Sequence, residues 1–197
     1  MGRVVPKGAI MAAASAIRLP ADIGNPTLRA LLDAHPVELL PALECTTVGA
    51  GSTVFDNLAP DAYALFPSSC VLSLRSLMPE GSSCELALLS GDGIVGLGAL
   101  ASRSPPGGKI HLQWRAMRAG IAWRLPMQIL QELADSSLAV RKAINDWQVR
   151  LAWEYLVRAQ CNRHHRIEQQ LCGWLLRYRA LSGGDEIACT QQEIADV

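Results

Sequence analysis

Cysteine, histidine and the acids are the side chains of this sequence that could do chemistry, and their spacing argues against most of it. Cys45, Cys70, Cys84, Cys161, Cys172 and Cys189 form no CxxC pair and fall at no His/Cys ligand spacing. A zinc or iron–sulfur site needs several such ligands brought together. His35 and His111 stand alone, and an isolated histidine is more often a surface or satisfied core residue than a ligand. His164 and His165 adjoin an expected helix start, where hinge or capping roles are the simpler reading. There is no paired-acid motif, no GxSxG elbow and no Walker-type phosphate loop. The chain therefore reads as a non-enzyme with no metal and no resident cofactor.

Composition narrows the classes further. Of the 197 residues half are hydrophobic and 18% are charged, which is the make-up of a folded globular protein. Formal net charge is zero, without the overall basicity that often marks a nucleic-acid binder. The charge is nevertheless uneven. Arg141, Lys142, Arg150, Arg158, Arg163, Arg166, Arg177 and Arg179 face only Asp146, Glu154 and Glu168 in the same stretch. Such a basic third is either a phosphate-facing surface or a solvated helix face. The apolar run Ala9–Ala16 is too short and too poor in leucine for a secretory signal, so disulfides are not expected. No run long enough to span a bilayer occurs. A cytoplasmic protein with a disordered tail over residues 1–20 is the expectation.

The elements that must position any site follow from punctuation and periodicity. Asn25-Pro26 is a helix start, with Asn as N-cap and Pro in the first turn; Leu28, Leu31 and Leu32 share a face, and Pro36 ends the pattern. Short apolar, β-branched runs then alternate with turn residues: Leu43–Val48, Thr53–Phe55, Tyr63–Phe66, Cys70–Leu77, Ser83–Leu89, Ile110–Trp114 and Ile121–Leu125. The breaks fall at Gly49–Gly51, Asp56–Asp61, Pro79–Gly81, Gly91–Gly93 and Pro105–Gly108. This spacing predicts an antiparallel β-roll or sandwich.

Beyond Pro126 the regime is helical. Val140, Ile144, Trp147, Leu151 and Tyr155 step by three or four residues, the spacing of a coiled-coil seam. The alternative is a helix that lies on its own β-domain. A helix of roughly 25 residues is about 37 Å long, more than such a domain needs for cover, so this stripe is expected to pair two copies of the chain. Cys161-Asn162-Arg163 should break the helix, with a second one starting near His164 and ending at Ser182–Asp185. That break is either a hinge or a corner fixed by Arg163 or Arg166 pairing with Glu154 or Glu168. Glu186–Cys189 suggests one short strand, and Thr190 with Glu193 forms a capping box for another helix. The chain stops inside that helix, as a fragment or early stop would.

This order of elements resembles the Crp/Fnr superfamily of bacterial transcription regulators over about residues 25–197. The stretches that carry it are Tyr63–Ser69 into Val71–Leu74, Met78–Gly81, Gly91–Leu97, Cys161–Leu176 and Thr190–Ala195. The resemblance implies an α+β protein. Its parts are a cyclic-nucleotide-binding-type β-roll (residues 21–134), a dimerisation helix (135–161) and the start of a winged helix-turn-helix (162–197). The implied function is a DNA-binding regulator, active as a homodimer, with a small effector as partner and no membrane. A ligand-binding or dimerisation module without DNA-binding activity is the alternative. The implied effector pocket is Gly91, Gly96, Leu97, Gly98 and Ala99, the dimer interface is the Val140–Tyr155 stripe, and Thr190, Gln191 and Gln192 would touch DNA phosphates. The second, base-reading helix of such a motif is not encoded in residues 1–197, which are expected to bind DNA weakly. In cyclic-nucleotide binders of the family a Gly-Glu pair and an Arg-Ser/Thr-Ala segment hold ribose and phosphate. Here Leu97 follows Gly96, and Arg103-Ser104 leads into Pro105, so cyclic AMP would lose its charge contacts.

Overall fold

The computed structural model describes residues 23–56, 62–97, 110–187, 189–191 and 194. Asn25 caps helix α1 (Pro26–Ala34) by accepting the Leu28 N–H at 2.9 Å. Its amide donates to the Pro67 and Gly93 carbonyls at 2.8 and 3.0 Å, fastening the helix to two turns of the β-domain. Pro36 ends α1 and also opens a four-residue helix, α2 (Pro36–Leu39), because its fixed φ suits a first turn.

The expected strands all form: β1 (Glu44–Val48), β2 (Thr53–Asp56), β3 (Tyr63–Pro67), β4 (Val71–Leu77), β5 (Ser83–Leu89), β6 (His111–Arg118) and β7 (Gly120–Pro126). They make two antiparallel sheets, β1-β7-β3 and β2-β6-β4-β5, around one core. The proposed breaks at residues 57–61 and 105–108 lie outside the described residues. Side-chain alternation explains the burial. Leu72 and Leu74 of β4 join Ala87, Leu89, Trp114 and Ala116 in the core between the sheets. Val71, Leu88 and Met117 point the other way and found a second cluster on the outer face of the four-stranded sheet.

Helix α3 (Met127–Ser136) lays Met127, Leu130 and Leu133 on the roll. Ser137 then caps α4 (Leu138–His164), which is followed by α5 (Ile167–Ser182). The sequence reading needs correction here. Cys161, Asn162 and Arg163 remain inside α4, and the joint falls at His165 and Arg166, both extended. Asn162 takes no left-handed conformation, since every positive φ among the described residues belongs to glycine. Asn disfavours helix by only about 0.7 kcal/mol, less than continued backbone hydrogen bonding returns. The His165 N–H still bonds to the Cys161 carbonyl at 2.9 Å. Gly183, at φ +68°, ends α5 in the left-handed form its type suggested. The expected strand at 186–189 does not form among the described residues; Ile187 and Cys189 instead pack on the second cluster. The Ile194 N–H bonds to the Thr190 carbonyl at 3.2 Å, a turn of the helix that the Thr190 cap announces; Glu193 lies outside the described residues.

Only Ala119 separates β6 from β7, so the chain crosses from one sheet to the other within a residue. Gly120 makes this possible: a Cβ there would stand 2.4 Å from the Cys70 nitrogen and 2.6 Å from the Ser69 carbonyl carbon. Backbone on a neighbouring turn cannot rotate aside as a side chain would. Gly120→Ala is therefore expected to cost about 2–3 kcal/mol by overpacking, lowering the melting temperature by about 5–10 °C. Gly49→Ala, where an added Cβ meets nothing within 4 Å, is the control that should melt like the parent.

Candidate functional site

Three places gather the chemistry-bearing residues: the turn after β5, the surface of α4, and the junction where α4 and α5 meet the roll. At the turn, packing accounts for the glycines. A Cβ on Gly93 would sit 1.9 Å from a Leu89 methyl, and one on Gly96 (φ +93°) 2.8 Å from the Tyr63 carbonyl. Gly91 lies against the Gly24 carbonyl in the same way, at 3.1 Å. Leu97 adds an apolar side chain packed against the core, while Gly98 and Ala99 lie outside the described residues. The turn is also held from both sides. Thr27 donates to the Asp92 carbonyl at 2.8 Å, the Trp147 indole donates to the Ile94 carbonyl at 3.0 Å, and Arg150 pairs with Asp92 at 3.3 Å. The segment read as an effector pocket is thus bonded directly to the long helix.

The expected pairing stripe is corrected by its surroundings. Val140, Ile144 and Trp147 are buried in the chain's own core and have no surface to offer a partner, and Leu151, partly buried, packs against that core. Tyr155, at the rim, is 36% exposed. The helix carries a second apolar stripe about half a turn away, Val149, Trp153 and Leu156, which are 49%, 63% and 60% exposed. A helix apolar on both faces has no single seam for periodicity to find, and the seam chosen from the sequence is the one that lies on the roll.

The junction is organised by Glu85, on the outer face of β5 and 1% exposed. Its carboxylate accepts from the Ser73 hydroxyl at 2.8 Å, the Trp174 indole at 2.7 Å and the Arg158 guanidinium at 2.9 Å. One acid thereby joins β4, β5, α4 and α5. Burial pushes its carboxyl above the usual range, against the pull of Arg158, of the Ser73 and Trp174 donors, and of Arg75 on the neighbouring strand. Trp174 and Tyr178 of α5 stack at 5.5 Å over Val71, Leu88 and Met117, and Arg177 pairs with Glu154 at 2.6 Å. The corner is therefore tied by Arg177 and Arg158, and not by the expected Arg163 or Arg166. Sequence reasoning missed Glu85. The available signal was a lone acid inside the apolar run Ser83–Leu89, matched across the pair by Arg75 in Val71–Leu77.

The basic stretch is largely neutralised from within: Lys142 by Asp146, Arg150 by Asp92, Arg158 by Glu85, Arg177 by Glu154 and Arg179 by Asp185. Arg141, Arg163 and Arg166 are exposed, and among the described residues they make no ion pair. Thr190 and Gln191 are exposed, and Gln192 lies outside the described residues. His35 meets the Ser137 hydroxyl at 2.8 Å and His111 meets Asp56 at 2.9 Å, so both have structural partners. Among the described residues no three His, Cys, Asp or Glu side chains gather as a metal site, and no helix is long and apolar enough to cross a membrane.

The described residues form a double-sheet roll capped by short helices, continued by a long helix and a helix docked back on the roll. Solved structures share this arrangement. A protein described as a Crp/Fnr-family transcriptional regulator from Eubacterium rectale superposes with a TM-score of 0.71 at 18% identity, over 87% of this chain and 78% of its own. A Crp/Fnr-family regulator from Thermus thermophilus gives 0.61 at 17%, over 78% and 77%. The c-di-GMP responsive global regulator CLP of Xanthomonas campestris gives 0.60 at 13%, over 87% and 83%. No protein-family model and no curated protein sequence matches the chain. The fold is that of the Crp/Fnr regulators.

Removing the Glu85 acceptor leaves the Arg158 guanidinium and the Trp174 N–H buried without it. Glu85→Ala is expected to cost about 3 kcal/mol in chemical denaturation, with amide exchange in α5 rising before that of the roll. The pH dependence has a definite sign. The folded-state carboxyl titrates above its ordinary 4.5, so its stabilising contribution is complete below that pH and is lost as pH rises through the folded-state value. Glu85→Gln deletes this component and should flatten the stability profile on that side; identical slopes in both proteins would contradict the assignment.

Proposed function

We propose that this chain belongs to a DNA-binding transcription regulator of Crp/Fnr type, cytoplasmic and working as a homodimer that senses a small effector through its roll. The observation that carries the reading is the two-faced helix α4. One face is bonded to the roll's turn through Trp147 and Arg150, and the other leaves Val149, Trp153 and Leu156 in water. Exposed apolar area is unfavourable by ~25 cal/mol per Å², and a repeated stripe on a straight helix is matched most simply by its own copy across a two-fold axis. Two such chains would carry their α5 helices side by side, with Arg163, Arg166, Thr190 and Gln191 on the exposed C-terminal part. That is where a pair of helix-turn-helix units would need their phosphate contacts. The turn at Gly91, Gly96 and Leu97 is the reading's sensing segment, because a shift there is passed straight to α4. An effector at this place would be less anionic than cyclic AMP, given the apolar Leu97.

Two measurements test this. Trp153→Glu should turn a dimer into a monomer in light scattering at tens of micromolar, weakening self-association about a hundredfold or more, while Trp147 and the core stay packed. A wild-type protein that is monomeric there sinks the pairing. Site selection from a random duplex library with the full-length protein should return two-fold symmetric half-sites about one helical turn apart; no enrichment would remove the DNA-binding reading. Calorimetry with cyclic AMP should show no binding at micromolar concentrations.

A further inference from the structure

The outer face of β5, the last turns of α4 and the first half of α5 line a partly open cavity of 210 Å³ directly beside the Glu85 junction. Leu86, Leu88 and Val157 give it apolar walls and Trp174 closes one side, while Gly173, Arg158 and a polar rim that includes Glu154, Asn162, Gln170 and Arg177 line the rest. Two details set it apart from a packing gap. Gly173 sits in the middle of α5, where glycine is unfavourable relative to alanine, yet a Cβ there would meet nothing within 4 Å. The glycine is not required for close packing; its effect is to leave the space open. The Nε of Arg158 is buried and finds no acceptor, although the terminal nitrogen of the same guanidinium is engaged by Glu85.

We propose that this cavity binds a small uncharged molecule with an apolar single-ring body and one carbonyl-type acceptor. The size follows from the volume, since about 150 Å³ of apolar space is enough to hold benzene. The acceptor follows from the Arg158 Nε, whose donor is otherwise unsatisfied at a cost. Neutrality follows from the charges already present. Arg158 is matched by Glu85 and Arg177 by Glu154, so a carboxylate would enter as an unmatched anion beside a buried acid. The occupant would touch β5, α4 and α5 together. It could therefore bias the arrangement of α5 on the roll, provided it prefers one arrangement over another. That regulatory consequence rests on the reading of the chain as a DNA-binding regulator; the binding itself does not.

Fluorine NMR on the whole chain tests it, with para-fluoroacetophenone as probe and para-fluorobenzoate and para-fluoroethylbenzene as comparisons. The ketone should bind with a dissociation constant on the order of 1 mM, as a ligand of about ten heavy atoms can. The acid and the hydrocarbon should each bind at least about fivefold more weakly, through loss of neutrality and of the acceptor respectively. Gly173→Leu, a better helix former that fills the opening, should weaken the ketone about tenfold or more. Val157→Phe fills the cavity from the opposite wall and gives the same result should Gly173→Leu fail to fold. No ketone binding, a preference for the acid, equal binding of the hydrocarbon, or unchanged binding in the variant that folds would each overturn the proposal. Ketone binding without DNA-site selection would retain the cavity and discard the regulator.

Discussion

A carboxylate withdrawn from water must find its hydrogen bonds and its counter-charge where it is buried, and at Glu85 those partners come from different elements. Ser73 is on the adjacent strand, Arg158 is near the end of α4, and Trp174 is in the middle of α5. The desolvation cost of the acid is met only while all three stay in place. An apolar contact would tolerate sliding; a fully satisfied buried acid does not. The position of α5 on the outer sheet is thus fixed by chemistry that has one geometric solution, while the surrounding cluster of Val71, Leu88, Met117 and Tyr178 supplies area without direction.

The long helix answers to two other constraints. Along its first half it is part of the roll: Val140, Ile144 and Trp147 complete the core, and Trp147 and Arg150 bond to the turn that follows β5. Along its second half Leu151 still packs on the roll, and its described ion pairs run through Arg158 and Glu154 to the junction. A stiff rod held at both places couples the Asp92–Ile94 turn to the Glu85 junction, beyond which α5 is attached by two extended residues.

Much of this architecture was legible in the sequence. Every strand from Glu44 to Pro126 falls on a short apolar or β-branched run bracketed by turn residues, and Asn25-Pro26 and Gly183 behave as their backbone preferences dictate. The failures share a physical cause. Val140–Tyr155 and Val149–Leu156 are both apolar at helical spacing, and which one faces the roll depends on tertiary packing that periodicity does not contain. The joint was placed four residues early, because polar Cys161-Asn162-Arg163 looked like a break although nothing there prevents helical hydrogen bonding. Glu85 and Arg75 stand among apolar neighbours in runs whose pattern alone marks a strand. A charge within such a run, on the face opposite the core, signals that something else covers that face.

The pairing pattern also sets an order of events on the way to this structure. Among the described residues β1 finds its strand partner only in β7, with Glu44 opposite Arg124, and β2 only in β6. β2 cannot be closed into a sheet until the chain has been made as far as β6, nor β1 until β7 is complete at Pro126, and long-range pairings of this kind are slow to form. During synthesis the first half of the roll must therefore wait as an open edge, exposed to other strands. The helices that complete its core, α3 and then α4, follow directly behind the strand that closes it. Chain order thus delivers cover to the roll soon after the roll first has a shape to be covered.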